Sequence, residues 1–287
     1  MAMIHDERRT KVDGLAFGEG PRWHDGALYL SDMHNHRVLR VDDSGAVETV
    51  AQHNSAVSGL GWLPDGTLLV VAMDGQVLRL GPAGLTRHAD LSGHASHGIN
   101  DMIVHSGGWA YVGQFGYDRE GGDRPVPSSL LRVGSDGAVT EVAPDLLVAN
   151  GMIISPDGQT LWVAESAGRR LTAFTVDATG QLSDRRVWAE LPARRHPDGI
   201  CLDGDGAIWV ACPMAARFLR TVEGGEVTDE IPVEPDRHAI ACVLGGSDRR
   251  TLFLLTAATL GEAERSRQLG SARVETVTVA VPGAGLP

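Results

Sequence analysis

The chain has 287 residues, 43% hydrophobic and 22% charged, with a formal net charge of -12 at pH 7 and a pI near 5.3. That is a globular composition, long enough to bury a large core and near the upper limit for one domain, so one domain over residues 1–287 is expected. An acidic chain without a Lys/Arg run gains nothing from phosphate backbones or anionic lipid, so nucleic acid and membrane surfaces are excluded as expected partners.

The N-terminal stretch MAMIHDERRT lacks the apolar core of a signal peptide, and no apolar run approaches the ~20 residues of a membrane span, which predicts a cytoplasmic protein. From Gly18 onward a phrase recurs: a small or polar residue, an apolar stretch, a turn with Asp or Gly, then a strand-like run. In chain order the copies read GEGPRWHDGALYLSD, VSGLGWLPDGTLLVVA, INDMIVHSGGWAYVGQ, ANGMIISPDGQTLWVAE and PDGICLDGDGAIWVAC, with a looser sixth, AIACVLGGSDRRTLFLLT. Further strand-like segments follow each copy, such as HRVLRVD and then AVETVAQ after the first. Short alternating strands between Gly/Asp turns predict an all-β chain. A sandwich would satisfy the alternation but not six related units. Repeats of roughly 40–50 residues with four strands each predict a six-bladed β-propeller of four-stranded antiparallel blades. The strand-like ARVETVTVAV near the C-terminus and the residues before Glu19 are expected to share the last blade, so that N- and C-terminal strands close the ring.

Aligning the copies on their hairpin turns gives one position per blade: Glu19, Ser58, Asn100, Asn150, Asp198 and a sixth near His238–Ile240. Equivalent positions of a propeller lie on a ring around the axis, so residues far apart in sequence are expected to meet at one mouth of the channel. The types there include Glu, Asn, Asn and Asp, hard oxygen donors with two negative charges, suited to Ca²⁺, Mg²⁺ or Mn²⁺ rather than a soft metal. Taken singly, each reads as a turn cap at a strand entry. Taken together at one repeat position, they read as a site. Within RRHPDGICLDGDGAIWVACP, Asp205-Gly206 aligns with the hairpins, Asp203-Gly204 is expected to pad the same loop, and Asp198 aligns with the site position.

Other chemistry finds little support. The three cysteines, Cys201, Cys212 and Cys242, sit in apolar runs and read as buried free thiols rather than nucleophiles or ligands. No G-x-S-x-G elbow, H-E-x-x-H helix or phosphate-binding glycine loop is present. His94 and His97 have weak zinc spacing and no Cys partner. The MHNHR stretch at 33–37 reads as a polar turn between strands.

These motifs together, GEGPRW at 18–23, IND at 99–101, ANGMIISPDG at 149–158, HPDGICLDGDGAIWVA at 196–211 and CVLGGSDRRTLFLLTA at 242–257, resemble the gluconolactonase/senescence-marker-protein (regucalcin) family of six-bladed propellers. The resemblance implies one divalent metal ion held by Glu19, Asn150 and Asp198, with Ca²⁺ the leading candidate and Mg²⁺, Mn²⁺ or Zn²⁺ as alternatives. It implies that Asn100 contacts substrate or metal-bound water. It also implies a hydrolase of lactones, with a small-molecule lactone or ester as partner; a monomer or homodimer is the expected assembly. The expected mechanism has the cation polarise the carbonyl and Asp198 act as general base; Asp101 and the cation alone are the alternatives for water activation. Asn100, His97, Gln114 and Tyr117 are the expected substrate-binding residues, with His196 and His238 as further rim candidates. The family commonly carries an Arg two residues before the Asn, to hold sugar hydroxyls. Here that position is Gly98, so a less polar lactone is expected. A phosphotriester hydrolase on the same metal site and a non-catalytic metal-binding propeller are the competing readings.

Overall fold

The computed structural model describes residues 8–95, 97–118 and 121–285. Strand β1 spans Arg9–Leu15. Blade 1 then holds β2 (Gly18–His24), β3 (Ala27–Asp32), β4 (Arg37–Val41) and β5 (Val47–Gln52). Blade 2 holds β6 (Val57–Trp62), β7 (Leu68–Ala72), β8 (Gln76–Gly81) and β9 (Gly84–Asp90). Blade 3 holds β10 (Ile99–His105), β11 (Trp109–Gln114), β12 (Ser128–Val133) and β13 (Val139–Leu146). Blade 4 holds β14 (Ala149–Ile154), β15 (Thr160–Glu165), β16 (Arg170–Val176) and β17 (Leu182–Glu190). Blade 5 holds β18 (Ile200–Leu202), β19 (Ile208–Cys212), β20 (Arg217–Thr221) and β21 (Val227–Pro232). Blade 6 is built from β22 (His238–Gly245), β23 (Thr251–Ala257) and β24 (Ala272–Thr278), with β1 as its outermost strand.

Each blade is a four-stranded antiparallel sheet, and β2, β6, β10, β14, β18 and β22 pack against one another in ring order. The architecture is the expected six-bladed propeller, closed by pairing of β1 with β24. Among the described residues no helix is long and apolar enough to cross a membrane. The one α-helix among the described residues, α1 (Ala263–Leu269), lies between β23 and β24 and has only seven residues. A segment that short carries too little periodicity to stand out in the sequence.

The core is made where blades face each other. Leu60, Val70 and Ala72 of blade 2 pack with Val38 of blade 1, and Ile103 and Tyr111 of blade 3 pack with Met152 and Leu161 of blade 4. Two fully buried carboxylates fix the joints at the same end of the ring. Asp32, ending β3, accepts the Ala16 and Phe17 amides on one oxygen and Asn35 and Arg37 on the other. Glu165, ending β15, accepts the Leu147 amide, Thr172 and Arg170. Each ties an inter-blade linker to the strand that follows its own.

Asp203 departs from its expected role as loop padding. It is buried, its Oδ1 accepts the Asp205 and Ala207 amides, and its Oδ2 takes Arg220 Nε at 2.7 Å. Its backbone also bridges to Gly283. The three Asp-Gly pairs of this stretch therefore do different work, and Asp203 is the anchor of the hairpin rather than its filler.

Burial pushes the Glu165 carboxyl up, but the Arg170 and Thr172 side chains and the Leu147 amide outweigh it and hold the group below its ordinary value of 4.5. A depressed carboxyl adds stability above its unfolded pKa, and that stability is lost as pH falls through the folded value. Thermal unfolding followed between pH 7 and pH 3 should therefore show the midpoint falling below about pH 4.5. Glu165→Gln should lower the midpoint at pH 7, by the equivalent of about 3 kcal/mol, and flatten the acid limb.

Candidate active site

The inner strands of blades 1, 2, 3, 4 and 6 carry a register shift near their start, and the residues just before β18 of blade 5 bond in a similar way. In blades 2 to 5 the extra residue falls at the repeat position and its successor. Ser58-Gly59 lie opposite Val71, Asn100-Asp101 opposite Gly113, and Asn150-Gly151 opposite Ala164. In blade 5 the Asp198 amide donates to Ala211 O, and the Ala211 amide donates back to Gly199 O. In blade 1 the irregularity follows Glu19, and in blade 6 it contains Ile240. A bulge bends the strand and re-aims a side chain that plain alternation would leave facing a neighbouring blade. The repeat position is thus a shared device, set at one end of the ring.

The glycines that follow have a packing reason. A Cβ on Gly151 would strike the carbonyl oxygen of Asp198, one on Gly199 would strike Ala241, and one on Gly20 would lie 2.8 Å from Ser58 O. Neighbouring inner strands approach so closely there that only hydrogen fits.

Glu19 is 8% exposed and Asn100 5%, whereas Asn150 and Asp198 are half-buried. Glu19 Oε2 accepts the Gly20 amide at 3.2 Å. Asn100 Nδ2 donates to Ala149 O at 3.5 Å, and Asn150 Nδ2 donates to Ser166 Oγ at 3.2 Å. Ser166 Oγ in turn donates to Pro197 O at 2.6 Å, next to Asp198. The nitrogen ends of both amides are engaged by protein acceptors. Two carboxylates and two oriented amide oxygens suit a hard divalent cation, and the two formal charges balance it. Among the described residues no three His, Cys, Asp or Glu side chains gather as a metal cluster. The expected ligand set, Glu19, Asn150 and Asp198, contains only two residues of those types, and its third donor is an amide.

The other predicted residues are spread around this end. Gln114 is buried at the end of β11, and its Nε2 donates to Ser129 O of β12 at 2.7 Å, away from the inner strand. His97 is exposed in the linker before β10, and Tyr117 is half-buried in the loop after β11. His196 Nδ1 lies 2.9 Å from Ser166 O, and His238 Nδ1 lies 3.1 Å from Pro213 O. Each of these two histidines bonds the loop of the preceding blade. The MHNHR stretch forms a 3₁₀ turn at Met33–Asn35, and His34 is buried with its ring 4.8 Å from that of Phe17.

Asp101 is committed elsewhere. Its Oδ1 accepts the Met102 amide at 2.7 Å and lies 3.4 Å from Arg22 Nη2. Burial pushes its carboxyl above the ordinary range, opposed by Arg22 and by the Met102 amide. Two residues near the site escaped the sequence reading. Arg22 is 5% exposed although it sits in an inner strand, and its place in a repeat that is otherwise apolar was the available signal. Ser166 has no comparable signature, since its role depends on blade 4 meeting the linker into blade 5.

The thiols match expectation. Cys201, Cys212 and Cys242 are buried and free, with Cys201 Sγ 3.7 Å from Cys242 Sγ. Burial raises Cys201 well above the ordinary thiol value and pushes Cys212 up to about 12, so neither supplies a thiolate near neutrality.

Residues 17–258 match the family described as the SMP-30/Gluconolactonase/LRE-like region. Among curated proteins, the pentonolactonase XacC of Haloferax volcanii is 27% identical over 249 residues, covering 85% of this chain and 83% of its own. The 6-deoxy-6-sulfogluconolactonase of Pseudomonas putida is 28% identical over 279 residues, covering 94% of both. Among solved structures, a calcium-binding protein, regucalcin, from Agrobacterium tumefaciens superposes with a TM-score of 0.81 at 22% identity. That superposition covers 99% of this chain and 97% of the other.

A thiol reagent such as dithionitrobenzoate should titrate none of the three cysteines in the native protein and all three in denaturant. Rapid native labelling of Cys201 or Cys242 would show that the inner strands of blades 5 and 6 part readily.

Proposed function

The chain belongs to the SMP-30/gluconolactonase/LRE-like family, and from that membership we propose that it is a metal-dependent lactone hydrolase whose site is the ring of Glu19, Asn100, Asn150 and Asp198. The observation that carries this reading is the repeated bulge: four oxygen-bearing side chains occupy one repeat position, and both amides are tethered by their nitrogens. Glu19, Asn150 and Asp198 would hold a divalent cation, Ca²⁺ foremost, which supplies polarisation of a carbonyl oxygen. Asn100 orients the substrate through its carboxamide, which is braced by Ala149. Asp198 accepts the proton of the attacking water at its carboxylate. Water adds to the lactone carbonyl, the ring C–O bond breaks, and the proton passes to the departing alkoxide, giving a hydroxy acid.

The substrate half of the site supports a lactone with few hydroxyls. Gly98, where relatives of this type commonly carry Arg, has φ of +84°, and a Cβ there would lie 3.0 Å from Met73 O. The backbone itself disfavours a side chain at this position. Gly98→Arg should therefore destabilise the fold by about 1–2 kcal/mol and leave aldonolactone turnover unimproved, measured by thermal melts and a pH-indicator assay.

The proposal is tested by chelation followed by add-back of Ca²⁺, Mg²⁺, Mn²⁺ or Zn²⁺ over a panel of lactones and phosphotriesters. Lactone turnover should vanish with chelator and return with one or more ions, and Asp198→Asn should lower kcat by about 10²-fold or more. Turnover confined to phosphotriesters, or an Asp198→Asn protein as active as the parent, overturns the reading.

A further inference from the structure

Relative to the repeat position, the next residue is Gly20, Gly59, Asp101, Gly151, Gly199 and Ala241 around the ring. The third residue on is Arg22, Gly61, Ile103, Ile153, Cys201 and Val243. Ten of these twelve positions are uncharged; the two departures, one in each set, bond each other. Arg22 Nη2 lies 3.4 Å from Asp101 Oδ1 and donates to Met102 O, while Nη1 donates to Pro21 O at 2.9 Å. Both residues are 5% exposed.

The side chain of Arg22 starts in blade 1 and ends on blade 3. Between them lies β6 of blade 2, which carries glycine at both facing positions. A Cβ on Gly59 would strike the Met102 amide and come within 2.8 Å of Asp101 Oδ1, and one on Gly61 would strike Val104. Blade 2 is thus cut back so that its two neighbours can meet. It is also the blade with Ser58, rather than a carboxylate or amide, at the repeat position.

Stability alone does not explain the arrangement. A buried ion pair is usually no better for stability than apolar residues of similar volume. This one is also incomplete, because Arg22 Nε is buried without a hydrogen-bond partner. Asp101 is the second residue of the bulge that aims Asn100, and the carbonyl taken by Arg22 belongs to Met102, the next residue along.

We propose that Arg22 and Asp101 are a positioning pair, which clamps the Asn100–Met102 bulge of blade 3 to the Glu19 strand of blade 1 and so fixes the Asn100 carboxamide relative to Glu19. The catalytic part of this inference rests on the lactone-hydrolase reading; the clamp itself does not. Loss of the clamp lets the bulge move, and substrate orientation suffers more than substrate binding.

The test compares Arg22→Met, Asp101→Asn and the double variant. Removing one partner strands a buried charge, so the single variants should melt lower, and the uncharged double variant should recover most of the lost midpoint. If the pair positions Asn100, the double variant keeps a kcat at least tenfold below the parent with KM within about threefold, at saturating metal. A kcat that returns to the parent's along with stability overturns the proposal and leaves a structural pair only. A second readout needs no substrate. In protein labelled with ¹⁵N-asparagine, the Asn100 side-chain resonance, assigned by its loss in Asn100→Ser, should shift or broaden in the double variant while that of Asn150 stays in place. An unmoved Asn100 signal overturns the clamp. If the parent hydrolyses no lactone yet the Asn100 signal moves, the functional reading fails and the clamp stands.

Discussion

Six inner strands must converge on one axis, and in four of them the backbone comes so near its neighbour that a methyl group does not fit between. That steric limit governs the rest of the molecule. It accounts for Gly20, Gly59, Gly151 and Gly199, where the atom a Cβ would meet lies in the adjoining inner strand. The bulges beside those glycines let each strand curve into the ring, and they take one residue per blade out of the ordinary alternation. Packing requires the bulge whether or not a ligand is bound. The oxygen donors at Asn100 and Asn150 occupy positions that the scaffold has already turned aside, and Glu19 stands just before the irregularity of its strand.

The carboxylates of the chain divide accordingly. Asp32, Glu165 and Asp203 are fully sequestered, each with an arginine and with backbone amides, and each secures a joint or a hairpin. Glu19 and Asp198 stand at the bulges instead. Burial of a charge is tolerated only where partners replace water, so the first group needs Arg37, Arg170 and Arg220. At the second group, a cation in the proposed site would do what those guanidinium groups do elsewhere.

Much of this was readable in the sequence because a repeat converts sequence spacing into spatial equivalence. Aligning hairpins placed Glu19, Asn150 and Asp198 at one position, and strand alternation gave the propeller and its closure by the first and last strands. What escaped was whatever depends on contact between blades. Asp203 looked like turn filler because Asp-Gly is common turn chemistry; its bond to Arg220 and its bridge to Gly283 are long-range. Ser166 links Asn150 to Pro197 through geometry that no local pattern encodes. Arg22 lay within a quoted motif, yet its meaning appeared only when the same column was compared around the ring.

Pairing of Arg9 with Thr276 joins residues 267 apart in sequence. During synthesis at about 5–20 residues per second, β1 emerges first and waits on the order of 15–50 s for β24. Until then blade 6 lacks its outer strand and β1 is an unpaired segment. Blades 1 to 5 form from contiguous hairpins, so they are able to assemble as the chain appears, while the final blade is a long-range closure. The nascent ring therefore stays open at one seam, between blade 6 and blade 1, beside Glu19 and the strand that carries it. Completion of blade 6 is tied to the arrival of β24, which must take its place before β1 has an edge to join.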